Sequence, residues 1–370
     1  MRSIRKKEEF SVSRYLVPGL LALVASPALA GGIERNPQSM NILFQEGNYL
    51  EFGATYGRPR VSGEGPGSPL GTGNIARSFF NGSLSFKGEI NDQLSYAIIL
   101  DQPFGADTLY PSRPNLADLS GKLDNTMLTG VMRYQFGNGF SAHAGLRSSW
   151  LSGSVALPFV SDYEMSTKTD QAFGYLVGVA YEVPEIALRV ALTYNSKIKH
   201  SFDAVENATA LPEPVDSTFS TNLPQSVNLE FQTGVVEDTL IFGSVRWVNW
   251  KDFEIDPDAF SAISPTGPLV SYDKNSTTYT LGVGRRFNEN WSGSVSLSHD
   301  TGNGSTTGNL GPVGTRNSIG LGLSYTKDSV TISGGVQYSR LGNVTTRAPV
   351  NNRFSGNSAI GAGLRIGYSF

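Results

Sequence analysis

Cysteine is absent from the 370 residues, which excludes a disulfide framework, thiolate metal ligands and a thiol nucleophile. Histidine occurs only at His143, His200 and His299, too far apart in sequence for a local metal motif. Each reads as a structural or lumen-facing side chain, so no metal site is predicted. Charged residues are scarce at 16%, too few for an ordinary cytosolic enzyme, and no long basic run invites nucleic acid. Long apolar runs are also missing: residues 15–25 form the only approach to one, and Pro18 and Gly19 interrupt it, so a bundle of membrane-spanning helices is excluded. Glycine, by contrast, is abundant at 42 residues, and aromatic residues make up 11%.

The front of the chain carries Arg2, Arg5, Lys6, Lys7 and Arg14, then the short apolar run, then Pro27-Ala28-Leu29-Ala30. A basic start, a greasy centre and a small-residue end have the form of an export signal, expected to cover residues 1–30. Without its five basic and two acidic residues, the remainder holds 24 basic and 30 acidic side chains, a formal charge of -6.

After Tyr49 almost every periodic segment alternates with period two, and no amphipathic helix of three turns is evident. Trp291, Gly293, Val295, Leu297 and His299 share one face, while Ser292, Ser294, Ser296, Ser298 and Asp300 share the other. Residues 330–339 and 359–370 repeat the pattern. Fourteen such segments fit the span of tilted membrane strands. Several are joined by very short links, such as Gly137-Asn138-Gly139 and Glu237-Asp238, and others by long polar stretches such as 199–223, 251–276 and 340–358. The expected fold is therefore all-β, a 14-stranded antiparallel transmembrane β-barrel over residues 49–370, with apolar faces turned to lipid. An unpaired backbone group costs roughly several kcal/mol in hydrocarbon, so the sheet must close on itself. By parity Arg133, His143, Arg147, Arg189, Glu230 and Arg365 point into the lumen, where a charge either braces the barrel against a partner or meets the carboxylate of a substrate.

Other motifs carry little. Gly302-Asn303-Gly304 and Gly320-Leu321-Gly322 do not link a strand to a helix as a phosphate loop requires. His299 and Asp300 are neighbours on a strand, so they point to opposite faces and form no relay. Residues 31–48 are not strand-like; they read equally as a plug in the barrel and as a periplasmic tail.

Several segments, taken in order, resemble the long-chain fatty acid and aromatic hydrocarbon channels of the bacterial outer membrane, the FadL-like family. They are Asn36-Pro37 followed by Met40; Leu94 through Gly105, ending in Pro103-Phe104-Gly105; Val177 through Lys199; Asn222-Leu223-Pro224-Gln225-Ser226; and Trp247-Val248-Asn249-Trp250-Lys251-Asp252-Phe253. The resemblance covers essentially the whole chain after the signal. It implies an amino-terminal hatch in the lumen, here near residues 33–44 with Asn36, Pro37 and Met40, and a lateral opening at a kink in the third strand, here Leu100, Pro103, Phe104 and Gly105. Arg147 and Arg189 are the candidate carboxylate contacts. One departure stands out: only five residues separate the expected cleavage site from Asn36, so the hatch is shorter than in typical members.

The reading is thus a passive channel rather than an enzyme, for hydrophobic small molecules and most plausibly fatty acids, with no cofactor. It would be a multi-pass monomer in the outer membrane, surrounded by lipid and lipopolysaccharide and inserted by the barrel assembly machinery. A polar-solute porin is the alternative; an outer-membrane hydrolase and a structural or adhesive barrel rank below it.

Overall fold

The computed structural model describes residues 33–65, 71–111, 118–264, 267–347 and 350–370. The expected export segment, residues 1–30, lies outside them. Fourteen strands form the wall: β1 (Tyr49–Arg60), β2 (Phe79–Glu89), β3 (Leu94–Asp101, resumed as Gly105–Leu109), β4 (Ser120–Gly137), β5 (Phe140–Leu157), β6 (Asp170–Val183), β7 (Leu188–Asn195, resumed as Ile198–Asn207), β8 (Val215–Leu223, resumed as Ser226–Val236), β9 (Thr239–Val248), β10 (Ser276–Arg286), β11 (Trp291–Asp300), β12 (Arg316–Lys327), β13 (Val330–Leu341) and β14 (Ser358–Ser369). Each pairs antiparallel with its neighbours in sequence, and β1 pairs with β14 from Tyr49↔Ser369 to Arg60↔Ser358, which closes the ring. Closure leaves no strand edge facing hydrocarbon.

Burial confirms which face looks outward. On β5 Leu146 is 72% exposed, while Arg147 next to it is 3% exposed. Phe173, Leu297 and Phe80 likewise face the membrane, whereas Ser149, His143, Asn228 and Ser296 are buried on the lumen side. An outward apolar band around a polar interior is the arrangement of an outer-membrane barrel rather than of a soluble sandwich. Short turns lie at the end that holds Tyr49 and Ser369; the longer connections gather at the other end.

The stretch 199–223, expected as a loop, is largely a continuation of β7 and β8. Residues of Ile198–Asn207 alternate strictly between buried and exposed, but the exposed set is Lys199, Ser201, Asp203, Val205 and Asn207. Here the wall passes through the membrane–water interface and its outward face meets headgroups and water, so the apolar signal that marks a lipid-facing strand disappears. Pro224 and Gln225, just past that stretch, form a break inside β8; proline has no N–H for the ladder.

Two apolar clusters occupy the interior. The larger lies under the long connections and includes Phe104, Leu151, Ile198, Phe202, Trp250, Phe253 and Phe354. The smaller, near the short turns, joins Met40, Ile42 and Leu43 to Tyr49, Ala97, Ile99, Val131 and Leu176. Between them the lumen is polar.

Candidate functional site, a hatch seated against a break in the wall

The third strand is interrupted where the sequence places Pro103. Between the pairs Asp101↔Met127 and Gly105↔Asp124, residues 102–104 of β3 face only Asn125 and Thr126 of β4, so β3 carries one extra residue and bulges. Towards β2 the effect is larger. Pairing stops at Leu84↔Leu100 and returns only at the isolated bridge Ala76↔Thr108. Strand β2 continues as far as Phe79 paired with β1 alone. The wall therefore has a window without rungs between β2 and β3. Side-chain contacts cross it weakly: the Asn81 amide donates to the Gln102 carbonyl at 3.5 Å, and Gln102 Oε1 accepts from the Gly82 N–H at 3.4 Å.

The backbone groups that β3 loses on that side are met from within. Arg35 N–H donates to the Pro103 carbonyl at 2.7 Å, and Gly105 N–H donates to the Ile33 carbonyl at 2.8 Å, with Glu34 and Phe104 forming an antiparallel bridge. The amino-terminal segment thus acts as a short strand laid behind the window. An added Cβ on Gly105 would lie 2.5 Å from Arg35 Cζ, so glycine there lets the Arg35 guanidinium rest against the strand.

From there the segment crosses the lumen, and lumen-facing side chains hold it at nearly every step. Glu34 accepts from Arg246 through both carboxylate oxygens, and Arg246 also donates to Asn228. Asn36 Nδ2 donates to Asp101 at 3.1 Å, and the Pro37 carbonyl accepts from Asn228 at 3.0 Å. Arg147 donates to Gln38, Ser39 Oγ to Glu230 at 2.6 Å, and Arg189 to Asn41 Oδ1 at 2.8 Å. After a single turn at Asn41–Phe44, the guanidinium groups of Arg133 and Arg189 each lie over the Phe44 ring, 4.5 Å from its centroid. A guanidinium over an aromatic face is an attractive contact, more so where water is scarce.

The expected site residues fall into three groups. Asn36 and Pro37 sit on the segment at the window, and Met40 is packed in the cluster near the short turns. Pro103, Phe104 and Gly105 form the break; Phe104 turns inward, edge-on to Trp250 at 6.4 Å, whereas Leu100 is the last residue of β3 paired with β2 and faces lipid. Arg147 and Arg189 both face the lumen, but each is bonded to the hatch. Sequence reasoning missed Glu34 and Arg246, which lie 212 positions apart and are joined only by the fold.

Two cavities flank the segment. One of about 190 Å³ is bordered by both lips of the window, at Asn81, Gly82, Asp101 and Gln102, and by Arg189, Arg246, Arg316 and Arg365 together with Glu34, Glu230 and Asp300. The other, about 100 Å³, lies towards the short turns and touches Arg147 and Arg189. Above the hatch, Trp250, Phe253 and Tyr272 pack at 5.3 to 6.1 Å between ring centroids, and Trp250 Nε1–H donates to Ser276 at 3.1 Å. In the long connections burial raises the phenol pKa of Tyr110 and of Tyr272. No group of histidine, cysteine, aspartate or glutamate among the described residues has a metal-binding arrangement.

This architecture has solved counterparts, and residues 22–365 match the family described as "Outer membrane protein transport protein (OMPP1/FadL/TodX)". The chain belongs to that family. Its fold is similar to a Pseudomonas aeruginosa FadL homologue, with a TM-score of 0.74 and 15% identity over 96% of this chain and 99% of that one. It is similar as well to the P. putida toluene transporter TodX, with a TM-score of 0.65 and 13% identity over 93% and 99%, and to the Ralstonia pickettii toluene transporter TbuX, with 0.64 and 12% over 94% and 97%. No curated protein sequence matches the chain significantly. As a member of the OMPP1/FadL/TodX family with a closed barrel, the protein is an outer-membrane channel of the type that takes up hydrophobic compounds, and not an enzyme.

One cluster has the connectivity of a hydrolase relay. Asp170 Oδ2 lies 2.7 Å from His200 Nδ1, and His200 Nε2 lies 3.1 Å from Ser149 Oγ. Both Ser149 and His200 are fully buried, and Ser149 Oγ accepts from the Asn125 amide at 2.8 Å. A serine so enclosed offers no approach to a carbonyl carbon.

Proposed function

We propose that this channel passes long-chain fatty acids, or amphiphiles like them, by diffusion from the apolar cluster beneath the long connections to the window between β2 and β3, and from there sideways into the membrane. The observation that carries the reading is the rung-free window with the hatch laid behind it. Moving an acyl chain through a water-filled pore costs roughly 0.8 kcal/mol per methylene, and a lateral exit avoids that cost. The arginine-bordered cavity at the lips of the window favours a substrate with a carboxylate over a bare hydrocarbon.

In this mechanism the hatch leaves its seat when substrate arrives. Its departure removes Glu34 from Arg246, Gln38 from Arg147 and Asn41 from Arg189, so a substrate carboxylate exchanges for contacts that the hatch had supplied. Asn36 and Pro37 anchor the seated state, Met40 packs its far end, and residues 103–105 shape the exit. The protein works as a monomer, since closure satisfies its own edges, and is inserted by the barrel assembly machinery.

Proteoliposomes test this reading. Uptake of a fluorescent long-chain fatty acid should exceed that of empty liposomes, while swelling in small sugars should remain weak. Rapid sugar swelling without fatty-acid uptake would replace the reading by a polar-solute porin.

A further inference from the structure

The wall contains a second stretch without rungs, between β6 and β7. These strands pair from Leu188↔Val183 to Asn195↔Leu176. Pairing resumes at Ala204↔Thr167, where β7 meets the short strand Tyr163–Thr167 that precedes β6. In between, residues 170–175 and 198–203 run side by side unpaired. One backbone contact marks each end: Ser196 N–H to the Tyr175 carbonyl and Lys168 N–H to the Asp203 carbonyl, both at 2.9 Å.

The cause lies in the sequence. Asn195 and Ile198 both face the lumen although they are three positions apart, and so do Met165 and Ala172, seven apart. A strand that keeps its phase returns to the same face only after an even number of residues, so each chain slips by one. The neighbouring ladders stay whole: β5 pairs β6 up to Leu151↔Asp170, and β7 pairs β8 on both sides of the break, at Asn195↔Ser226 and Ile198↔Leu223. Here the seam between β6 and β7 loses its rungs, while β7 and β8 break at matching positions, 196–197 and 224–225, and stay paired to each other on both sides.

Side chains close this seam. His200 reaches from β7 to Asp170 on β6 at 2.7 Å and to Ser149 on β5 at 3.1 Å, and Asp170 also accepts from the Ser201 N–H at 3.3 Å. Behind the seam lie Leu151, Ala172, Ile198 and Phe202 of the large apolar cluster. The outward face of the seam is mixed: Phe173 and Tyr175 of β6 are exposed, with Tyr194 at 6.1 Å from Tyr175, and so are Gln171 of β6 and Lys199 and Ser201 of β7. Above it stands the exposed pair Lys168–Asp203. An aromatic girdle below and charge above place the seam at the outer membrane–water interface.

We propose that this seam is a side entrance, through which a hydrophobic compound already dissolved in the outer leaflet reaches the apolar cluster without crossing the long connections, and that His200 with Asp170 is its latch. The entrance rests on the proposed transport function for its use; the opening of the seam does not. It differs from the β2–β3 window, where the hatch backbone fills the gap.

The test exploits the lack of cysteine. Ala172→Cys puts a single thiol behind the seam, and a bilayer-partitioned alkyl maleimide reports access to it from the leaflet. In liposomes His200→Gln should raise the labelling rate about tenfold, the shift expected for loss of one charge-assisted hydrogen bond. Asp170→Asn should do the same. Labelling by a charged, water-borne methanethiosulfonate should change less than about twofold. Heat-modifiable gel migration identifies which variants are folded, and either one suffices. Labelling that ignores both latch changes overturns the seam. For the transport step, Asp170→Cys with His200→Cys is bridged by a short bis-methanethiosulfonate. Uptake of a membrane-dissolved alkyl fluorophore should fall several-fold on bridging and recover on reduction. Unchanged uptake in a barrel that does transport the probe overturns the entrance alone, whereas absence of any hydrophobic uptake overturns the function proposed above and leaves the labelling result standing.

Discussion

Glu34→Ala probes the seating of the hatch most directly. Glu34 holds the Arg246 guanidinium with both oxygens, one contact being 3.0 Å, and also accepts from Gln38 at 3.2 Å. The two side chains are 16% and 5% exposed. Removing one partner of a buried ion pair costs roughly 3–5 kcal/mol, and the partial exposure of Glu34 places the loss at the lower end, about 3 kcal/mol. At about 1.4 kcal/mol per decade this multiplies the unseated population by about 150-fold. Recording in planar bilayers reads that change as the frequency of conducting openings. Glu34→Gln keeps an acceptor but loses the charge, so about a tenfold rise is expected. Glu34→Ala combined with Arg246→Met removes both members of the pair, leaves neither charge without its partner and should return close to the parent. A quiet Glu34→Ala channel refutes the reasoning, as does a double variant as leaky as the single one.

Pro103→Val with Gly105→Val replaces the break in β3 with residues that suit a regular strand, and the side chain at 105 displaces the Arg35 guanidinium. Fatty-acid uptake should drop about tenfold or more with the barrel still folded; unchanged uptake rules out the lateral route. Arg147→Ala removes a guanidinium that serves Gln38, and uptake of a long-chain fatty acid should fall about tenfold while that of a neutral hydrocarbon changes less than about twofold. Equal losses for the two substrates reject a carboxylate contact at Arg147.

The wall was legible because lipid imposes one rule on every strand that crosses it. Leu146 must face outward and Arg147 inward, and alternation of that kind survives in the bare sequence. Where the wall leaves the membrane the rule lapses, which is why Ile198–Asn207 looked like a loop although its burial alternates as regularly as any strand. The break at residues 103–105 was visible through Pro103 and through the order of segments shared with a known family. The partners of the hatch were not. Whether residues 31–48 fill the lumen depends on Asn228, Glu230 and Arg246, which lie nearly two hundred positions or more away. Parity could say that Arg147 and Arg189 point inward, but not that Gln38 and Asn41 already occupy them.

The strip of chain behind residues 103–105 is at once a stopper in a pipe and the missing plank in its side. In the proposed mechanism these two closures are not operated separately, because the same peptide holds contacts at both. On that mechanism each molecule that leaves through the flank unseals the bore as well for as long as the strip is away, and leakage of ions and antibiotics rises in step with throughput. A cell that gains faster uptake by loosening this strip also loses part of its barrier, and that trade is set by a dozen residues at the front of the folded chain.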